Sequence, residues 1–251
     1  MRDVSFSYAN TPFIEHLSLE IPHARVTSII GPNGCGKSTL SRLFCGSLSP
    51  QRGAVLLAGA SVSHMIPNER ARKISLLPQG VRAPAMSVEM LVACGRYPYR
   101  AHSIRMSAQD HEHVNEAMDL AGISHFRDTD VRFLSGGERQ RAFIAMTLAQ
   151  DTEIIILDEP TTYLDARACH DILQLVNALN VTSGKTIVTI IHDIDLALRY
   201  SDQVFVMEEG SITCSSPTKD DNLFEAIEHA FSVSVHKNQV GGKDAYTLFP
   251  L

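Results

Sequence analysis

The sequence lacks several features that would place it in a distinct class of protein. No apolar run approaches the roughly 18 residues that a membrane-spanning helix needs, and the N-terminus has no basic and apolar signal pattern. Positive charge is not in excess: the formal net charge is -6, which disfavours nucleic acid or an anionic membrane surface as a partner. The sequence therefore predicts a cytoplasmic protein that reaches a membrane only through another subunit.

The cysteines and histidines form no recognisable framework. The cysteines are scattered, odd in number and free of any C-x-x-C pair, which disfavours a disulfide scaffold or a zinc site. Among the 11 histidines, His111 and His113 are two residues apart, so on a helix they point in different directions. We therefore expect structural or surface roles for the histidine pair. The cysteines are Cys35, Cys45, Cys94, Cys169 and Cys214.

The hydrophobic pattern favours one α/β domain. The chain has 251 residues, of which 44% are hydrophobic and 20% charged, enough for a buried core. Alternating apolar residues at 4–8 and 17–21 predict strands of an antiparallel layer. Short apolar runs at 26–30, 74–77, 154–157, 186–191 and 204–207 alternate with helical patterns, which is typical of a parallel sheet.

The segment 80–150 differs from the rest because its pattern is mostly helical. Ser87 can cap a helix at 88–93, and Ser107 with Asp110 resembles a capping box that opens a helix ending at Leu120. We predict a single domain, 1–251. Its core comprises 1–79 and 151–251, with the N-terminal antiparallel β layer and the C-terminal tail, and 80–150 is an inserted α-helical subdomain.

A glycine-rich loop follows the apolar run at 26–30 and fits the pattern G-x-x-x-x-G-K-[ST]. Its glycines let the backbone curl so that N–H groups face phosphate oxygens, and the helix predicted at 37–48 adds its positive end. In this motif Lys37 reaches the β- and γ-phosphates and the Ser38 hydroxyl binds Mg²⁺. The residues predicted to bind ATP here are Gly31, Pro32, Asn33, Gly34, Cys35, Gly36, Lys37, Ser38 and Thr39.

Two adjacent carboxylates end the apolar run at 154–157. Ligands of open α/β sheets collect at the carboxyl ends of the strands, where Asp158 and Glu159 lie. Asp158 can hold Mg²⁺ directly or through water, and Glu159 can polarise an attacking water. The sequence therefore predicts a nucleotide-hydrolysing site.

Between the loop and the carboxylates lies the stretch Leu134-Ser135-Gly136-Gly137-Glu138-Arg139-Gln140-Arg141. In that order the motifs resemble those of the nucleotide-binding subunit of an ATP-binding cassette (ABC) transporter. The resemblance covers nearly the whole chain and implies a P-loop NTPase (RecA-like) core. It also implies a homodimer, in which Ser135, Gly136 and Gly137 bind the ATP held by the partner and Asp165 lies at the dimer seam. Glu138 stands where relatives often have Gln, a mild departure.

The resemblance assigns three further residues by their place in the chain. Gln79, which follows a strand and starts the helical segment, would touch Mg²⁺ and the attacking water. His192, after the strand at 186–191, would contact the γ-phosphate. Tyr8, at the end of the first strand, would stack on adenine. The predicted catalytic residues are therefore Glu159, His192, Gln79 and Lys37. The predicted Mg²⁺ ligands are Ser38, Gln79 and Asp158.

Parts of the chain are similar to ATPases that serve importers of ferric siderophores, haem and cobalamin. These parts are the segment 86–100, the residues 162–165 and the short helix-and-strand tail. This resemblance implies integral-membrane permease subunits, an extracytoplasmic binding protein that acts indirectly, and a position on the inner face of the membrane. The alternatives are a zinc or manganese importer, a soluble ABC ATPase that acts in DNA repair or on ribosomes, and a regulatory module with an inactive site. Short insertions, net negative charge and intact motif residues disfavour the last two.

Overall fold

A computed structural model describes residues 1–9, 11–100, 105–218 and 220–251. These residues form two compact units, one of 1–65 with 186–251 and one of 66–185. Within them, no helix is both long and apolar enough to cross a membrane. The predicted division at 79 and 150 stays a prediction.

The strands are β1 (Arg2–Tyr8), β2 (Thr11–Leu17), β3 (Val26–Ile30), β4 (Arg52–Ala54), β5 (Leu56–Leu57), β6 (Ala60–Ser61), β7 (Ile74–Leu77), β8 (Ile154–Asp158), β9 (Thr186–Ile190), β10 (Gln203–Glu208), β11 (Ser211–Pro217), β12 (Val233–Val240) and β13 (Lys243–Pro250). The α-helices are α1 (Lys37–Phe44), α2 (Pro67–Ala71), α3 (Val88–Ala93), α4 (Ala108–Leu120), α5 (Gly136–Ala149), α6 (Ala166–Ser183), α7 (Ile194–Tyr200) and α8 (Asp221–Phe231).

The first unit is built on a mainly parallel set of strands. β3 pairs in parallel with β9 on one side and β10 on the other, and β11 pairs antiparallel with β10. Every residue of β3 and β9 is buried, as expected for parallel strands covered on both faces. A separate antiparallel layer has the order β2-β1-β4, and β12 with β13 forms a C-terminal hairpin.

The predicted strand at 17–21 is wrong, because β2 ends at Leu17. The strand lies earlier and its pairing with β1 shifts register twice, so the inward residues Ile14 and Leu17 are three apart instead of two. His16 between them has φ 52°, which breaks the regular alternation. Pro12 is tolerated because β2 is an edge strand. The predicted helix at 37–48 is also shorter than expected, since α1 ends at Phe44.

The second unit combines two parallel strands, β7 and β8, with five α-helices among its described residues. The predicted caps are confirmed: Ser87 Oγ accepts from Met90 N, and Ser107 and Asp110 form a reciprocal capping box at the start of α4. α5 packs against α3, α4 and α6. Its residues 142–145 are consecutive and buried, so it is covered on several sides instead of along one stripe.

A buried arginine ties these helices together. Arg96 is only 3% exposed; its Nε donates to Asp110 Oδ1 at 2.9 Å and its Nη1 to Ala149 O at 2.8 Å. Its guanidinium carbon lies 3.9 Å from the centre of the Tyr99 ring. Burial raises the pKa of Asp110, but hydrogen bonds from Arg96 and Ser107 lower it more and hold the pKa at about 2. The charged pair therefore fixes the turn at 94–99 to the start of α4 and the end of α5.

Candidate active site

The glycine-rich loop joins β3 to α1 and is shaped by close backbone approach. A Cβ at Gly31 would lie 2.1 Å from Met207 O, so only glycine fits against β10. Gly36 has φ 118°, and a Cβ there would lie 2.7 Å from Met207 Cε. α1 then begins at Lys37, so its unpaired first N–H groups face the loop. This is a cradle of backbone donors suited to phosphate oxygens.

The Lys37 side chain is folded back over this cradle. It is 5% exposed, and its Nζ donates to Gly31 O at 2.8 Å and to Pro32 O at 2.9 Å. Within the described part of the chain its partners are neutral groups, so its positive charge is not neutralised by a carboxylate. A buried ammonium held in this way fits an anionic ligand at the loop.

Tyr8 belongs to an aromatic cluster beside the same loop. Its hydroxyl lies 3.0 Å from Thr39 Oγ1 on α1, and its ring centre is 4.9 Å from that of Phe6 and 5.6 Å from that of Phe13. The side chain is 46% exposed, which leaves part of the ring accessible. The sequence did not predict the Thr39 contact, which joins the first strand to the phosphate loop.

His192 lies at the same end of the first unit. Ile190 of β9 pairs with Ile29 of β3, and His192 and Gly31 each lie two residues past that pair, beyond the strand ends. The exposed His192 precedes Asp193, whose side chain caps α7 by accepting from Leu196 N at 3.0 Å. The register of the strands therefore places the histidine and the phosphate loop at one edge.

The carboxylates and Gln79 come together in the second unit. Leu77 of β7 pairs with Leu157 of β8, so Gln79 and Glu159 each lie two residues past that pair. Gln79 Nε2 donates to Glu159 Oε2 at 2.5 Å. Asp158 is 5% exposed at the end of β8, where its oxygen atoms are ligands of the kind that Mg²⁺ prefers.

Glu159 adopts an unusual backbone conformation. Its φ is 55°, in the left-handed region that residues other than glycine seldom occupy. Thr162 Oγ1 donates to Glu159 Oε2 at 2.9 Å, a contact that the sequence did not predict. The only sequence signal for it is the spacing of three residues across a turn that contains Pro160. Strain of this kind is characteristic of functional sites.

The stretch at 134–141 forms the start of α5. Ser135 caps the helix, and Glu138 completes a capping box by accepting from Ser135 N at 2.8 Å. These hydrogen bonds lower the pKa of Glu138. A Cβ on Gly136 would lie 3.4 Å from Leu164 Cδ2, so the helix start packs closely on the loop before α6.

Asp165 caps α6 by accepting from Ala168 N at 2.8 Å. Within the second unit, Gln79, the two carboxylates, the start of α5 and Asp165 thus form one group of candidate residues. Within the first unit, Tyr8, the phosphate loop and His192 form another.

Cys35 lies within the glycine-rich loop, so nucleotide bound there should protect it from thiol reagents. Cys35 is 6% exposed, and burial raises the pKa of its thiol although the Lys37 ammonium 3.9 Å away opposes the rise. We expect slow modification at neutral pH that speeds up about tenfold per pH unit, because the thiolate is the reacting form. Mass spectrometry of the modified thiol, followed in parallel with ATPase activity, measures this. ATP should slow the reaction, and a fully modified protein that keeps its activity would contradict the placement of Cys35.

The chain is similar to a known protein family and to proteins of known role over most of its length. The model of the ABC transporter family matches residues 14–162. The chain is 46% identical to the petrobactin import ATP-binding protein FpuD of Bacillus anthracis, over 83% of this chain and 77% of that protein. It is 42% identical to the ferric enterobactin transport ATP-binding protein FepC of Escherichia coli, over 92% of this chain and 85% of that protein.

Solved structures give the same fold. One similar structure is a dimeric ATP-binding cassette in a post-hydrolysis state, bound to ADP and phosphate. It has a TM-score of 0.73 and 25% sequence identity, and the match covers 87% of this chain and 98% of that one. The P-loop NTPase fold with its antiparallel strands and helices is therefore confirmed. The chain belongs to the ABC transporter family, as an ATP-hydrolysing nucleotide-binding domain.

Proposed function

We propose that this chain energises an ABC importer of iron–siderophore complexes. The observation that carries the proposal is the identity of 46% and 42%, over most of the chain, to ATP-binding proteins whose names specify petrobactin import and ferric enterobactin transport. Haem and cobalamin remain the related cargoes predicted from the sequence. The cargo itself is bound by other subunits, so this chain contributes ATP binding, hydrolysis and the resulting motion.

ATP binds at the phosphate loop in this proposal. The backbone N–H groups of residues 31–39 and the start of α1 hold the phosphates, and the Lys37 ammonium pairs with the β- and γ-phosphates. Tyr8 stacks on adenine, which its partly exposed ring beside the loop supports. Ser38, Gln79 and Asp158 would hold Mg²⁺, which would neutralise charge on the phosphate oxygens.

Hydrolysis is an in-line attack of water on the γ-phosphate. Glu159 accepts a hydrogen bond from the attacking water and polarises it, and its strained backbone supports this role. Gln79 orients Glu159 through the 2.5 Å hydrogen bond. His192 contacts the γ-phosphate, in line with its place beside the loop. Phosphoryl transfer passes through a loose transition state, so these residues contribute mainly by positioning the reactants and by electrostatic stabilisation.

Two copies of the chain act together, as the dimeric relative of known structure suggests. The hydroxyl of Ser135 and the N–H groups of Gly136 and Gly137 bind the γ-phosphate of ATP held by the partner, because the start of α5 offers unpaired donors and a positive dipole. Asp165 lies at the seam. ATP closes the dimer, and the accompanying movement of the segment 80–150 is passed to permease subunits on the inner face of the membrane. Hydrolysis then reopens the dimer.

Uptake by cells tests the cargo. Deletion of the coding sequence is expected to abolish uptake of a radiolabelled ferric siderophore. Expression of the parent protein should restore this uptake, whereas expression of the Glu159→Gln variant should not. Uptake of labelled haem and cobalamin, measured in the same cells, is the matched control. Unchanged siderophore uptake together with loss of one of the other two would contradict the cargo and leave the ATPase assignment standing.

A further inference from the structure

The position of the Glu159 carboxylate depends on a neighbour in its own turn. We propose that Thr162 is a positioning residue for Glu159, whose hydroxyl holds the carboxylate in the orientation needed for hydrolysis. The inference rests on the proposed role of Glu159. It adds a residue that binds neither nucleotide nor metal and acts only through that carboxylate.

The turn at 159–162 is closed on itself. Thr162 N donates to Glu159 O at 3.3 Å, and Thr162 Oγ1 donates to Glu159 Oε2 at 2.9 Å, so backbone and side chain of Thr162 both bind the same residue. Pro160 between them is buried and cannot donate a competing N–H. Glu159 itself has φ 55°. The turn therefore stores backbone strain and fixes the direction in which the side chain leaves the main chain.

The flanking structure keeps this turn in place. Leu164 N donates to Thr161 O at 3.3 Å, and Cys169 Sγ of α6 donates to the same oxygen at 3.4 Å. Asp165 then caps α6. The half-buried Thr162 is thus held between the end of β8 and the start of α6. Its bond to Glu159 forms without ordering any distant segment.

The two donors on Glu159 Oε2 differ in origin. Gln79 reaches it from the exposed loop after β7, 80 residues away, whereas Thr162 lies three residues away within the turn. A carboxylate oxygen has two lone-pair directions, and these two donors occupy both on Oε2. The Thr162 bond is made within the turn at 159–162 and does not involve the Gln79 loop.

The test separates orientation from folding and binding. Thr162→Val keeps the shape and removes the donor, and it is expected to lower kcat for ATP about tenfold, as loss of a hydrogen bond to a charged group does. The KM and the Kd for ATP should stay at parent values, because no nucleotide contact is lost. Thr162→Ser, which restores the hydroxyl, should recover most of the rate. Should Thr162→Val fail to fold, judged by ATP binding and thermal unfolding, Thr162→Ala is measured instead.

Thr161→Val is the matched control, because within the described residues the Thr161 hydroxyl makes no hydrogen bond, and it should keep the parent kcat. A second control adds Thr162→Val to Glu159→Gln, where little further loss is expected since the two residues act as a unit. Parent kcat in Thr162→Val, or an equal loss in both backgrounds, would overturn the inference. Parent activity in Glu159→Gln alone would instead overturn the proposed role of Glu159.

Discussion

Replacement of Glu159 by glutamine is expected to lower kcat for ATP hydrolysis by about a thousandfold, within the range that a positioned base contributes. The amide keeps the size of the side chain and still accepts from Thr162 and Gln79 through its oxygen, so the turn that carries it should persist. It no longer has a carboxylate oxygen with which to polarise water. Phosphate release measured in single turnover gives the rate, and equilibrium binding gives the affinity for ATP, which should be unchanged.

The same variant should accumulate as a nucleotide-bound dimer, because ATP closes the two copies and hydrolysis no longer reopens them. Size-exclusion chromatography with and without ATP and Mg²⁺ detects this shift. Glu153→Gln is the matched control, since Glu153 is an exposed carboxylate just before β8, and it should hydrolyse ATP at the parent rate. A Glu159→Gln protein that stays monomeric and turns over normally would remove Glu159 from the mechanism.

Sequence spacing indicates which candidate residues lie close together, because parallel strands convert position in the chain into position in space. Gln79 and Glu159 each follow a short apolar run, and the pairing of Leu77 with Leu157 brings the two side chains within 2.5 Å. The same logic places His192 beside the start of the phosphate loop. Buried parallel strands keep a simple register, so the order of the motifs along the chain indicates which of these residues are neighbours.

Features that depend on irregular backbone or on tertiary packing were not predictable in this way. The strand at 17–21 was wrong because β2 contains register shifts and a positive φ at His16, which a two-residue period does not describe. The buried pair of Arg96 and Asp110 joins segments 14 residues apart in a helical region, and nothing in the local pattern marks an arginine as buried. The Thr162 contact was missed because it follows from the left-handed turn at Glu159.

Replacement of Lys37 by methionine is expected to weaken ATP binding about a hundredfold, which corresponds to about 2.7 kcal/mol. Methionine fills a similar volume but removes the buried ammonium, and charge-assisted hydrogen bonds to phosphate are each worth about 1.5–3 kcal/mol. In the parent structure that ammonium donates to Gly31 O and Pro32 O, so it is already fixed at the loop before any nucleotide binds. Isothermal titration with ATP and Mg²⁺ measures the change in affinity.

Two further measurements separate loss of charge from damage to the loop. Lys73→Ala removes an exposed lysine from the surface before β7 and should bind ATP as the parent does. Without nucleotide, the thermal unfolding temperature of Lys37→Met should differ only modestly from that of the parent. The stabilisation that ATP gives the parent should be lost in Lys37→Met, because ligand stabilisation follows RT ln(1 + [L]/Kd). An unchanged Kd for ATP in Lys37→Met would mean that the phosphates do not occupy the cradle between β3 and α1, and with it the proposed assignment of residues 31–39 would fail.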